Sequence, residues 1–433
     1  MPYEAGSRLP GERASRLGHL DVLKSPLVRK LCESFEDTAA SSTIPSASWE
    51  LPPISTPLPL VFAVDGSLQI IENALPPHKT LAFVKTALLR VDRVALAAID
   101  PLMPHPLALR ELLIDSAMYH ATAFPMRHVA VAGMTVYDAV RQVIFESVKD
   151  PTLQGEVMET LKWLAYEKWD GQSKNLPPFQ CPHCDASTSM SFDNEVGPCD
   201  NCSKDVFLTD MLGFHLEMAD DAAPDSIASS YMLVHETLML FTGVRYFWEQ
   251  NRTLLSDCLF LKDGPLAIRA QYSKLVAPIR RFFEAARSAG VEVCMVGQEK
   301  TGAFVEHLNL IGPHGPDHGV FLPGHDYIRS EVQHRPIAGD PYGLYTNYGA
   351  KVFTRFSERH QAVLTIPTGK HLRDPASADL IGAARIFATL PALLSSRFEG
   401  GLFPIELANN VASLSTYPSA KVLALFAQAA GTH

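Results

Sequence analysis

Long apolar runs are missing from this 433-residue sequence: none approaches the roughly 18 residues that a membrane-crossing helix needs. The first twenty residues (MPYEAGSRLPGERASRLGHL) lack the apolar core of a signal peptide, so the chain reads as intracellular, with a cytoplasmic location and no membrane partner expected. Cysteine is scarce. Seven in a chain of this length cannot form a disulfide scaffold, and the cytosol would keep them reduced. Basic charge is also in short supply, 37 Lys+Arg against 47 Asp+Glu for a net charge of −10. That balance excludes a protein coated in basic surface but leaves room for a local nucleic-acid groove. Hydrophobic residues (47%) outweigh charged ones (19%), which gives a sizeable core and excludes a disordered, collagen-like or coiled-coil chain. No internal repeat is visible, and the length allows two or three domains.

Residues 8–30 carry a local charge of +4, and Leu17, Leu20, Leu23 and Leu27 have the spacing of a short amphipathic helix broken near Pro26. With the Ser/Thr/Pro-rich stretch 38–59 they form an N-terminal segment, 1–59, of basic helix and linker. LVFAVDGSLQII (60–71) predicts a buried strand ending in a turn at Asp65-Gly66. Strand or short-helix character follows at 81–91 and 94–99, then helix at about 107–119 and 135–168. Segment 171–215, polar and rich in turn residues, interrupts this pattern and reads as an insertion between two parts of one domain, 60–170 and 216–433. Helices are expected at 228–250 and about 271–288, and strands at LFLKD and VEVCMVGQ. A long Gly/Pro/His-rich loop at 311–349, a hairpin of KVFTRFS and QAVLTIP, and closing helices at about 376–395 and 404–430 complete the chain. Strands alternating with helices, with hairpins among them, indicate a mixed α/β fold.

The strongest chemical signal is Cys181-Pro-His-Cys184 with Cys199-Asp-Asn-Cys202, two C-x2-C pairs separated by 14 residues, enough for a hairpin between knuckles. Four thiolates satisfy tetrahedral Zn²⁺ and leave no position open for water, so this zinc ribbon would stabilise rather than catalyse. Cys32, Cys258 and Cys294 sit in apolar contexts and read as buried, inert thiols.

The second signal is a pair of apolar strands that each meet Asp-Gly: VFAVD before Gly66, and CLFLKD before Gly264. Either aspartate alone fits a turn-initiating residue. Two carboxylates at the lips of neighbouring strands, Asp65 and Asp263, fit a divalent-metal site for attack on phosphodiesters.

LVFAVDGSL followed far downstream by LFLKDGPL resembles the NurA nucleases. A helix with an early glutamate (MLVHETLMLF, Glu236), a strand ending near Lys300 (VCMVGQEK) and the closing segment GLFPIELANNVASLS fit the same ordered set. The resemblance implies an RNase H-like sheet flanked by helices and a Mn²⁺- or Mg²⁺-dependent DNA nuclease. It also implies a homodimer that works with a HerA-like hexameric ATPase in DNA end processing or anti-phage defence. It makes Asp65, Asp263 and Glu236 the metal ligands, with Glu249 as a rival for the third. Asn409 stands where the family usually has histidine; its carbonyl can ligate a hard cation but cannot shuttle a proton as imidazole does.

Lys300, at a strand end beside the carboxylates, suits developing phosphate charge as well as an ordinary solvated role. His314, His318, His325 and His334 cluster in the long loop and read as surface residues, with a metal clip as the other possibility. Arg355 is a candidate phosphate contact. Phe241, Phe247, Trp248, Trp163 and Trp169 read as core or interface residues. Two further functions compete: a catalytically dead NurA-like adaptor joining an ATPase to DNA or another effector, and a zinc-ribbon nucleic-acid binder.

Overall fold

The computed structural model describes residues 22–35, 45–72, 76, 78–93, 117–129, 131–172, 174–219, 223–395, 397, 400–415 and 418–430. The chain divides into Met1–Ser46 and Ala47–His433. In the first unit helix α1 (Pro26–Glu33) begins at Ser25, whose hydroxyl accepts the Val28 N–H, and carries proline in its first turn, where a missing N–H is harmless. None of its residues is buried, so Cys32 is exposed and not the buried thiol expected. Most of the basic stretch 8–30, and the apolar run 94–99, lie outside the described residues.

The second unit runs β1 (Leu60–Glu72), β2 (Thr80–Asp92), β3 (Ala117–Arg127), α2 (Val136–Val148) and α3 (Glu156–Ala165). Four very short strands carry the cysteines: β4 (Phe179–Gln180), β5 (Ser187–Thr188), β6 (Val196–Pro198) and β7 (Asp205–Phe207). Then come α4 (Ser226–Gln250), β8 (Cys258–Asp263), α5 (Val276–Ser288), β9 (Cys294–Glu299), α6 (Ala303–Ile311) and β10 (Gly319–Phe321). The chain closes with β11 (Ala350–Ser357), β12 (His360–Ile366), α7 (Ala383–Thr389), α8 (Phe403–Ala412) and α9 (Ser419–Ala430).

Eight strands form one mixed sheet in the order β10-β11-β12-β9-β8-β1-β2-β3. β1, β8 and β9 are parallel neighbours, and antiparallel strands extend the sheet on both sides. This is the mixed α/β class expected, a mixed sheet with helices on both faces. The central strands read as unbroken apolar runs because both faces are covered. Along β1 and β8, Phe62, Val64 and Phe260 face the layer of α4 and α5, while Val61, Ala63, Leu259 and Leu261 face that of α7 and α8. Among the described residues no helix is long and apolar enough to cross a membrane.

Several elements differ from expectation. β1 does not turn at Asp65-Gly66 but continues to Glu72, paired with β2 throughout. Gly66 serves close packing instead: a Cβ there would lie 2.6 Å from both Glu236 Oε1 and Met232 Cγ of α4. Residues 117–119, expected to end a helix, belong to β3, and the rest of that stretch lies outside the described residues. The helix expected at 135–168 is split between α2 and α3 at Pro151, and the last one is split between α8 and α9 just before Pro418. Proline cannot continue a helix interior, so both breaks follow from its missing N–H and fixed φ.

The cysteine segment is docked firmly on this frame. Arg141 of α2 forms a buried two-pronged pair with Asp210 (3.0 and 2.8 Å), and Tyr166, at the C-terminal cap of α3, donates to the Asn194 carbonyl. Cys181, Met190, Cys199 and Val206 join the same apolar cluster as the sheet.

Gly66→Ala should destabilise the protein by about 1–3 kcal/mol, because the added methyl must push aside the Met232 side chain and the Glu236 carboxylate that Lys262 holds. Chemical denaturation would measure the loss; an unchanged midpoint would mean that α4 is not held this closely.

Candidate active site and cysteine cluster

The parallel ladder between β1 and β8 runs from Leu60–Cys258 to Val64–Lys262, and the next residue on each strand is an aspartate. Adjacent strands lie about 4.8 Å apart, and parallel partners in register point to the same face, so Asp65 and Asp263 stand side by side. Their face is the one that α8 covers with Ile405, Leu407 and Ala408. β8 stops here because Gly264 turns the chain in the left-handed region (φ +82°), leaving β1 without a neighbour on that side. Asp65 is thus within its strand, yet at the lip of the parallel ladder.

Only 5% of Asp65 is exposed. Burial, then the charges of Asp263 and Glu236, push its pKa up to about 8, against the pull of Lys300 and of the Gly66 N–H. That N–H donates to Asp65 Oδ1 at 2.7 Å. Lys300 sits with Nζ 2.8 Å from Asp263 Oδ1, so it meets a carboxylate of the centre and not bulk water alone.

Glu236 approaches from the opposite face. Its Oε2 accepts from Lys262 Nζ at 2.7 Å, and Lys262 also donates to the Asp263 carbonyl at 2.9 Å. Lys262 is fully buried; burial alone would discharge it, but Glu236 holds its pKa above the ordinary range. His235 keeps this turn of α4 in place through Thr86 Oγ1 (2.8 Å) and a ring stack on His120 (4.4 Å). Glu249 is not a rival ligand. It lies about 20 Å further along α4 and pairs with Arg245 at 3.3 Å.

Lys300 and Asn409 line one cleft of about 680 Å³ between the end of β9, α6, β12 and α8. Asn409 is exposed at its edge. Glu406, one turn earlier, also lines the cleft; its Oε1 is buried without a partner, and burial pushes its pKa up. α8 is tied to the sheet at this point, since Lys85 donates to the Val411 carbonyl and the Leu414 N–H donates to Ser67.

Two residues of this neighbourhood escaped the sequence reading. Lys262 carried a signal, a lysine inside an otherwise apolar strand, which can be buried only with a partner. Glu406 carried none beyond its place in the closing segment.

Other candidates resolve into structural roles. Arg355, on β11, donates to the Gly315 carbonyl and pairs with Asp317 at 3.3 Å, so it braces the turn that precedes β10. Trp163, Trp169, Phe241 and Trp248 are buried, as are Cys258 and Cys294. His325 is buried and not on the loop surface as expected. Among the described residues, the only group of three or more His, Cys, Asp or Glu with ligand atoms mutually within 4.8 Å is the four cysteines. Neither the loop histidines nor the three carboxylates are gathered so tightly.

Each C-x2-C is the turn of its own hairpin, β4–β5 and β6–β7, and not the ends of one hairpin between knuckles. The two turns match bond for bond. Cys181 N–H reaches the Ala186 carbonyl (2.9 Å) as Cys199 N–H reaches that of Lys204 (2.8 Å). The His183 and Asn201 N–H groups each lie 3.4 Å from the first sulfur of their knuckle. Asp185 and Ser203 take the left-handed position that closes each turn. A tetrahedral ion with Zn–S bonds of about 2.3 Å requires sulfurs about 3.8 Å apart. Cys181–Cys202 and Cys184–Cys199 are 3.9 and 3.8 Å apart, so the cluster fits a structural metal such as zinc.

Fold and site together define a mixed α/β protein with paired aspartates at the centre of its sheet and a closed four-cysteine cluster beside it. Among solved structures the chain is similar to the NurA nuclease from Sulfolobus solfataricus, at 8% identity over 98% of each chain and a TM-score of 0.35. No protein-family model and no curated protein matches the chain.

In metal-free buffer Asp65→Asn should stabilise the protein. Because the folded pKa of Asp65 lies above its unfolded value, wild-type stability falls as pH rises from about 4 to about 8, a loss the asparagine variant escapes. Melting temperatures should coincide near the acid end and separate by a few degrees at the alkaline end; a gap independent of pH would contradict the assigned repulsion. Cys181→Ser should lower metal content in elemental analysis and destabilise the cysteine hairpins, and unchanged metal content would refute the cluster's role.

Proposed function

We propose that this chain is a divalent-metal-dependent DNA nuclease of the NurA type. The observation that carries the reading is the side-by-side placement of Asp65 and Asp263 at the lip of the parallel ladder, two carboxylates whose mutual repulsion a hard cation would relieve. Their all-oxygen donor set suits Mn²⁺ or Mg²⁺. Bound there, such an ion supplies polarisation of the scissile phosphate and acidification of an attacking water.

The remaining steps belong to side chains. Asp65 and Asp263 hold the cation. Lys300, seated 2.8 Å from Asp263, would face the developing phosphate charge. Glu236 lies against the strand at Gly66 and fixes Lys262 beneath the Asp263 carbonyl, so it completes the ligand set from the far face or sets its charge balance. Asn409 orients water or phosphate through its amide but cannot move a proton, which leaves proton transfer to solvent.

The cysteine cluster takes Zn²⁺ in this reading, and residues 171–215 are a structural zinc module between the two parts of the nuclease core, 60–170 and 216–433. A homodimer in the cytoplasm, working with a HerA-like hexameric ATPase on DNA ends or phage DNA, is the corresponding assembly. Asn409 and the lysines already seated on Asp263 and Glu236 favour the second reading, a catalytically dead adaptor.

Asp65→Ala separates the two. With Mn²⁺ and linear DNA, a nuclease loses several orders of magnitude in rate while keeping its fold and partner binding. Wild-type protein without metal-dependent cleavage, or cleavage unaffected by the substitution or by chelator, would overturn the proposal.

A further inference from the structure

A second cavity, opposite in charge to the acidic centre, lies between α5 and the loops that follow β10 and β12. It holds about 40 Å³, several times what one water needs and suited to one small anion. Its lining includes Arg280, His325, Lys351, Lys370, His371 and Arg373 and no carboxylate, in a chain whose net charge is −10. Glu299, Glu284 and Asp326 partner Lys351, Lys370 and Arg373 from outside that lining. Arg280 donates to the carbonyls of Gly343, Leu344 and Asn347, so its partners there carry no charge.

At the floor His325 is 2% exposed. Its Nδ1 accepts the Tyr342 N–H at 2.8 Å, which places the proton of the neutral ring on Nε2. Nε2 is buried without a partner. A buried donor left unpaired costs free energy that an acceptor in the cavity would recover. At the mouth Lys370 and Arg373 are exposed and able to turn from their carboxylates to an entering anion.

We propose that this cavity binds a phosphate group, with His325 and Arg280 at its base and Lys370 and Arg373 as its gate. The site stands independently of the nuclease reading, and two sources share its chemistry: a terminal phosphomonoester and an internal phosphodiester of a nucleic-acid strand.

The test is titration of full-length protein with inorganic phosphate in chelator, where cleavage plays no part, read by calorimetry and ³¹P line width. Saturable binding is expected, weakened about tenfold or more in the Lys370→Ala, Arg373→Ala double variant, whose exposed positions leave folding intact. His325→Gln, which keeps an acceptor and a donor, should retain more affinity than His325→Leu. Displacement of phosphate by an oligonucleotide bearing a terminal phosphate, but not by the same strand without one, identifies the phosphomonoester; equal displacement identifies the internal phosphodiester. Absence of saturable phosphate binding, or equal affinity in the double variant, would overturn the proposal and leave the Asp65→Ala result untouched.

Discussion

A one-residue slip of β8 along β1 would put Lys262 beside Asp65 and turn Asp263 to the opposite face, because side chains alternate with a period of two. The register that prevents this is fixed from both sides. Phe62 stacks on Phe260 at 5.2 Å in one layer, and Val61 and Ala63 pack with Leu259 and Leu261 in the other. The same register delivers Lys262 to Glu236. One ladder of five residue pairs therefore sets two carboxylates together on one face and a lysine–glutamate pair on the other.

That buried pair has a physical cost, since both ions give up their water. It is tolerated because Lys262 is satisfied twice, by Glu236 and by the Asp263 carbonyl, and because Gly66 lets α4 come close enough for Glu236 to reach. Breaking one partner would strand the other charge in an apolar interior, so the pair clamps α4 to β8, the strand that bears Asp263. The centre itself is the opposite case. Asp65 is held near a like charge, and the fold is less stable for it. A site that is costly when empty and relieved by a cation has the free-energy sign of a binding site.

Much of this was legible in the sequence where a local rule had a strong signature. The cysteine knuckles were fixed by spacing, the buried strands by apolar runs, and the hairpin at β11–β12 by alternation. The two aspartates were suggested as a pair by their matching Asp-Gly strand ends and by the resemblance of their flanking segments, while no local pattern reports a contact between residues so far apart. Asp-Gly misled at Asp65: a turn signal and a close-packing glycine look alike in sequence, and only the approach of α4 distinguishes them. His325 failed for a similar reason. A Gly/Pro/His-rich segment reads as surface loop, and nothing local shows that the chain folds back through the Tyr342 N–H to enclose the ring. Lys262 was visible but unread, because a single charge in an apolar run points to a partner without naming it.

The overall charge conceals two opposed sites joined by consecutive residues at the end of β9. Lys300 meets Asp263 in the acidic centre, and Glu299 meets Lys351, which lines the cationic cavity. Without a divalent ion the centre repels a phosphate backbone, while the cavity attracts one over no more than about 10 Å at moderate salt. On the proposed readings, a phosphate would be gripped at the cavity whether or not the centre is charged with metal, while hydrolysis at the aspartates, on the opposite face of the sheet, would require the cation. Binding and hydrolysis would then respond to different conditions, the first to ionic strength and the second to the cation.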